Sequence, residues 1–194
     1  VDEFQLYFIQ VRNMFAEKLK RGDVEVSSKI ISKALEQYSH IKSEKNSPKI
    51  HLKIIEIIRV EYAVKKNFVG LAKILEDYYK EIHFNKDLTN RYSNTIANIE
   101  YIMAYTFLDT RNFNKTNFHL SKMKKLMDKF ENVSINYLGR YVALMSFIKI
   151  FENKIDDAIN MINTSIDNHG VKFSERELLN LKLNQAAFLC LNNE

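Results

Sequence analysis

The sequence predicts an all-α fold of stacked helical hairpins, and three observations carry that expectation. Only 4 Gly and 1 Pro punctuate the 194 residues, too few turn formers for an all-β fold or for alternating strands and helices. Apolar residues recur at steps of three and four along most of the chain, the spacing that gathers them on one face of a helix. Short polar turns ending at Val24, Phe68, Phe113 and Ile155 recur at intervals of 44, 45 and 42 residues. That regularity marks a repeated unit and argues for a solenoid.

The first helix places Phe4, Phe8, Val11, Phe15 and Leu19 on one face and stops at Gly22. A second, over Asp23 to Ser43, carries Ile30, Ile31, Ala34, Leu35, Tyr38 and Ile41. Ser47 and Pro48 open a third, which runs to about Lys66: Ser caps free backbone N–H groups, and Pro is tolerated at the first helical position. Further helices are expected over Val69 to His83, Leu88 to Thr110, Lys115 to Glu131, Ile135 to Glu152 and Asp156 to Asn168. The fifth shows the clearest stripe, Tyr92, Ile96, Ile99, Met103 and Phe107. Gly170 reads as a left-handed cap on the eighth. Ser174 and Glu177 form a capping-box pattern that opens a ninth helix.

Composition bounds the function classes. With 46% hydrophobic residues the chain can bury a continuous core, so one domain over residues 1–194 is expected. No run approaches the roughly 18 uninterrupted apolar residues of a membrane span. Cys190 is the one cysteine, which excludes an intrachain disulfide framework and suits a reducing, cytoplasmic setting. It sits among Phe188, Leu189 and Leu191 with no histidine nearby, and reads as a buried small hydrophobe. Val1 is followed by Asp2 and Glu3 and not by a basic-then-apolar signal, so the chain reads as a fragment or a processed form.

The net charge of +5 is spread along the chain, and nucleic acid is the alternative partner it suggests. Lys122, Lys124, Lys125 and Lys129 interleave with Met123, Leu126, Met127 and Phe130, which is the pattern of a solvated helix face. No glycine-rich phosphate loop, paired-histidine helix or nucleophile elbow occurs, so no enzyme, cofactor or metal site is expected. His40, His51, His83, His119 and His169 fall at expected helix ends and surfaces without ligand spacing. Asp156 and Asp157 follow a turn, where carboxylates favour a helix N-terminus.

In the stretch Asn184 to Glu194, in Tyr101 to Phe113 with its small Ala104, and in Asn153 to Ala158, the residues resemble the tetratricopeptide repeat. That family pairs an apolar first helix, a tight polar turn and an alanine-bearing second helix. The units here exceed its usual length of about 34 residues. They also lack a terminal Pro, and Arg59 falls near a position where the family prefers a small residue. The resemblance implies a right-handed α-solenoid of antiparallel hairpins, about nine helices in all, whose first helices line a concave groove that binds a peptide or protein. It implies a scaffold or the sensing part of a regulator, as in bacterial peptide-sensing proteins. Asn98, Tyr101, Tyr105, Arg140 and Asn184 are the peptide-binding candidates on first helices. The last unit ends where a turn should begin, leaving an apolar end for further chain, a partner or a second copy.

Overall fold

The computed structural model describes residues 3–23, 29, 30, 33, 36, 48–64, 67–80 and 82–192. Among them the protein is all-helical, with nine α-helices and one 3-10 turn and no strand. These are α1 (Glu3–Lys20), α2 (Pro48–Val64), α3 (Phe68–Lys80), α4 (Lys86–Arg91), α5 (Ser93–Asp109), α6 (Phe113–Lys129), α7 (Glu131–Phe151), α8 (Ile155–His169) and α9 (Glu175–Asn192). The 3-10 turn, Gly170–Lys172, lies between α8 and α9. The helix expected over Asp23 to Ser43 lies mostly outside the described residues, with positions 29, 30, 33 and 36 helical.

The four recurring turns share one backbone hydrogen bond. The amide N–H of Asp23, Asn67, Asn112 and Lys154 donates to the carbonyl five residues back, on Lys18, Tyr62, Phe107 and Lys149, at 2.8–3.0 Å. This six-to-one closure is the Schellman motif, which satisfies carbonyls left over at a helix C-terminus and needs a left-handed residue just before the donor. Gly22 (φ 81), Arg111 (φ 55) and Asn153 (φ 59) take that conformation. Glycine adopts it without strain, whereas Arg111 bears a Cβ penalty that its turn hydrogen bonds offset. The next helix starts at once: Asn67 Oδ1 accepts from the Gly70 N–H at 2.9 Å, and Asn112 Oδ1 accepts from the Lys115 N–H at 3.3 Å.

Three boundaries depart from the sequence pattern. The expected helix over Leu88 to Thr110 is two helices, because Tyr92 leaves helical geometry (φ −122, ψ 30). Asn85 caps the short α4 by accepting from the Leu88 N–H at 2.8 Å. The apolar stripe runs straight across this break, so periodicity does not show it. A loop expected before Ile135 is a single residue: Phe130, in extended conformation, closes α6 and opens α7. Gly170 is right-handed (φ −54, ψ −35) and not a left-handed cap; the chain continues into the 3-10 turn, whose last bond joins the Phe173 N–H to the Gly170 carbonyl. The capping box of α9 forms as expected, with Ser174 Oγ donating to Glu177 Oε2 at 2.7 Å and accepting from the Glu177 N–H at 3.3 Å.

The chain divides into two compact units, Val1–Ile102 and Met103–Glu194. In the first, α1 packs on α2 and α2 on α3, and Ile50, Ile54, Ile55 and Ile58 of α2 and Leu71 and Leu75 of α3 are buried. In the second, α7 packs on α6, α8 and α9, and α8 packs on α9. Val142, Ala158, Ile159, Ile162, Phe173, Leu181 and Phe188 form an apolar cluster there, with Phe147 meeting Phe188 edge-on at 5.3 Å. Gly139 in α7 admits α9: a Cβ there would stand 3.2 Å from that of Glu177.

Candidate functional site

The five candidates from the sequence do not converge on one described cavity. Asn98 and Tyr101 belong to the first unit, both half-buried on α5; Tyr105, on the same helix, is half-buried in the second. Arg140 is exposed on α7, with its guanidinium 5.2 Å from the centre of the Tyr137 ring. Asn184 is half-buried on α9. The tyrosines are therefore less exposed than free anchors would be.

Two histidines expected at surfaces are interior. In the first unit His51 is buried on α2; its Nδ1 and the Tyr78 hydroxyl on α3 share a 2.7 Å hydrogen bond, and its ring lies 5.9 Å from that of Phe84. Nearby on α3, Tyr79 donates its phenol to the buried carboxylate of Glu100 on α5. Burial, and then the negative charge of Glu100, push the Tyr79 phenol far above its ordinary value, so it stays a proton donor. In the second unit His119 is buried and stacks on Phe107 at 5.5 Å. Spacing does not show these placements, because a histidine at an apolar position of a helical stripe looks the same as one beside it. Among the described residues no group of three or more His, Cys, Asp or Glu is placed to hold a metal ion, and no helix is long and apolar enough to cross a membrane.

Cys190 is exposed and not buried. Helix α9 buries Leu181 and Phe188, while Leu179, Leu183, Leu189 and Leu191 stay open with Cys190. Leu179, Leu183, Ala186 and Cys190 follow four-, three- and four-residue steps, one apolar stripe facing away from α8.

The lysines of α6 behave as a solvated face. Lys124 pairs with Asp128, Lys122 lies over the Phe118 ring at 4.5 Å, and Lys129 lies over Phe130 at 4.8 Å.

The second unit also contains an open groove and a smaller, more closed cavity. The groove, about 440 Å³, follows the outward face of α8 through Asp157, Asn160, Met161, Thr164, Asn168 and His169, with Lys149 of α7 on its edge. Asn160, Thr164 and Asn168 are exposed and make no side-chain hydrogen bond among the described residues, whereas Asn163, on another face, is bonded to Gln185 of α9. Lys154 and Lys149 reach Glu152 at 2.8 and 3.4 Å, and they hold its carboxyl below the ordinary range. Among the described residues Asp157 makes no salt bridge and has Lys154 as a longer-range neighbour. The cavity, about 150 Å³, adjoins the groove at His169. Its apolar lining is Met127, Ile135, Leu138 and Phe173, with Lys124, Asp128, Glu131 and Lys172 among the charged lining residues.

The sequence pointed to none of this groove: Asn160, Thr164 and Asn168 look like ordinary solvated positions until the neighbouring helices are in place. The signal that was available is their four-residue spacing opposite the buried apolar face of Ala158, Ile159 and Ile162. No family model, no curated protein and no solved structure matches the chain.

Proposed function

We propose that this protein is a peptide- or protein-binding helical-repeat module, a tetratricopeptide-like right-handed solenoid of antiparallel hairpins that serves as a scaffold or as the sensing part of a regulator. The observation that carries the reading is the Schellman closure repeated at Asp23, Asn67, Asn112 and Lys154. A unit that begins each second helix from the same turn builds one supersecondary piece several times, and such pieces bury their apolar faces by stacking. Contacts of α1 with α2, and of α7 with α9, support this: each is a first helix touching the first helix of the next unit. Solenoids of this kind present long surfaces with room for an extended chain, and their chemistry is recognition.

The pairing of α6 lysines with their own neighbours favours a polypeptide ligand over nucleic acid. Two measurements decide between them. A random peptide library displayed on phage is selected against the immobilised protein, and mixed-sequence DNA and RNA oligonucleotides are titrated at about 50 and 200 mM salt. Enrichment of peptides with weak, non-specific nucleic-acid binding is expected. An empty selection together with tight oligonucleotide binding, lost steeply as salt rises, would overturn the proposal.

A further inference from the structure

The groove and cavity of the second unit together have the dimensions and chemistry of a site for an extended peptide. Residues four apart on a helix are separated by about 6 Å along its axis. In an extended chain, backbone groups facing one way recur every two residues, about 6.6 Å. Asn160, Thr164 and Asn168 form such a row on α8, each exposed and carrying a hydrogen-bonding group with no partner among the described residues. Asparagine presents a donor and an acceptor, so each amide can meet a peptide N–H or C=O.

The two ends of the row differ. At the start of α8, Lys149 and Lys154 both reach Glu152, and the Asp157 carboxylate lines the groove with no salt bridge among the described residues and with Lys154 as a longer-range neighbour. At the other end, past His169, lies the 150 Å³ cavity with its apolar lining from α6, α7 and Phe173. The cavity has room for an aliphatic side chain to lie against those apolar residues. From Asp157 to His169 the helix advances about 18 Å. An extended peptide covers that distance in five to six residues.

We infer that the outward face of α8 binds an extended peptide, with backbone groups on Asn160, Thr164 and Asn168, a cationic side chain at Asp157, and an aliphatic side chain five to six residues away in the cavity at the end of α6. The inference rests on the peptide-binding reading and locates its ligand on a second helix, away from the first-helix candidates.

The test uses the peptides selected from the phage library, resynthesised with a fluorophore and titrated by polarisation against the whole chain and its variants. Asn160→Ala with Asn168→Ala removes two exposed amides that make no hydrogen bond among the described residues, so an unchanged thermal midpoint is expected for the double variant. Its affinity for the peptides falls about tenfold or more. Asp157→Asn weakens the same peptides, and their sequences share Lys or Arg five to six positions from Leu, Ile, Val or Met. Replacing that aliphatic residue by Ala in the peptide also loses about tenfold. Selected peptides that bind the double variant as tightly as the unaltered protein, or that lose affinity only on Arg140→Ala or Asn184→Ala, overturn this site and leave the module reading in place. A selection that enriches no peptide overturns this site, and together with tight, salt-sensitive oligonucleotide binding it overturns the module reading as well.

Discussion

The two compact units bury different chemistry. The first surrounds its isoleucine-rich interior with hydrogen bonds between side chains of different helices, His51 to Tyr78 and Tyr79 to Glu100. In the second, two buried hydroxyls close on backbone nearby in sequence: Thr116 donates to the Asn112 carbonyl at 2.9 Å and Ser146 to that of Ala143 at 2.8 Å. Its helices are joined mainly by an apolar cluster. Apolar contacts tolerate small shifts and depend on volume, while a buried hydroxyl–carboxylate pair depends on direction and protonation. The first unit should therefore be the one sensitive to single polar atoms and to pH, and the second the one sensitive to lost volume.

The largest expected effect tests the second unit. Phe188→Ala empties a position that is 2% exposed and removes the edge-on contact with Phe147, at a cost of about 3–5 kcal/mol in urea unfolding. A loss below about 1 kcal/mol would mean that α9 contributes little to the cluster.

Tyr79→Phe tests the first unit by deleting one oxygen from the interior. It takes a donor from the buried Glu100 carboxylate, at a cost of about 1–3 kcal/mol. The pH dependence has a definite sign. The folded-state value of Tyr79 is raised, so its contribution is complete below the unfolded value of 10.0 and is lost as pH rises above it. Unfolding followed between pH 8 and 11 should show an alkaline loss in the unaltered protein that is smaller in Tyr79→Phe.

The repeated turn is common to both units and responds to a smaller change. Asn153→Val places a β-branched residue at φ 59 and should cost about 1–2 kcal/mol, whereas Asn153→Gly should cost nothing measurable. Equal losses would show that the Asn153 side chain matters more than its backbone. Leu183, 58% exposed on the open stripe of α9, should change stability by less than about 0.5 kcal/mol when replaced by Glu. At the smallest scale, the Glu152 carboxyl held by Lys154 and Lys149 should titrate below 4.5 by NMR. Its stabilising pairing is present above that pH and lost as pH falls through the lowered value.

Much of the helical framework was legible because its signals are local. A left-handed residue just before the donor produces the same hydrogen bond at Asp23, Asn112 and Lys154 whatever surrounds it. Ser174 and Glu177 likewise close their box within a single turn. The candidate groove was not legible, since Asn160, Thr164 and Asn168 gain meaning only from what stands beside them. The first-helix candidates Tyr101 and Tyr105 turned out half-buried for the same reason: their place beside the stripe of α5 was clear, but the burial that packing gives them was not.

The sequence by itself determined that the chain is helical among its described residues and where its recurring turns fall, because each depends on residues within about five positions of one another. Tertiary structure alone decided that His51 and His119 are interior and Cys190 exposed. It also decided that the end of α6, the start of α7 and the 3-10 turn enclose a cavity beside α8. Those outcomes depend on which helix faces another across tens of residues of chain, and a pattern that repeats every three or four residues carries no information about that partner.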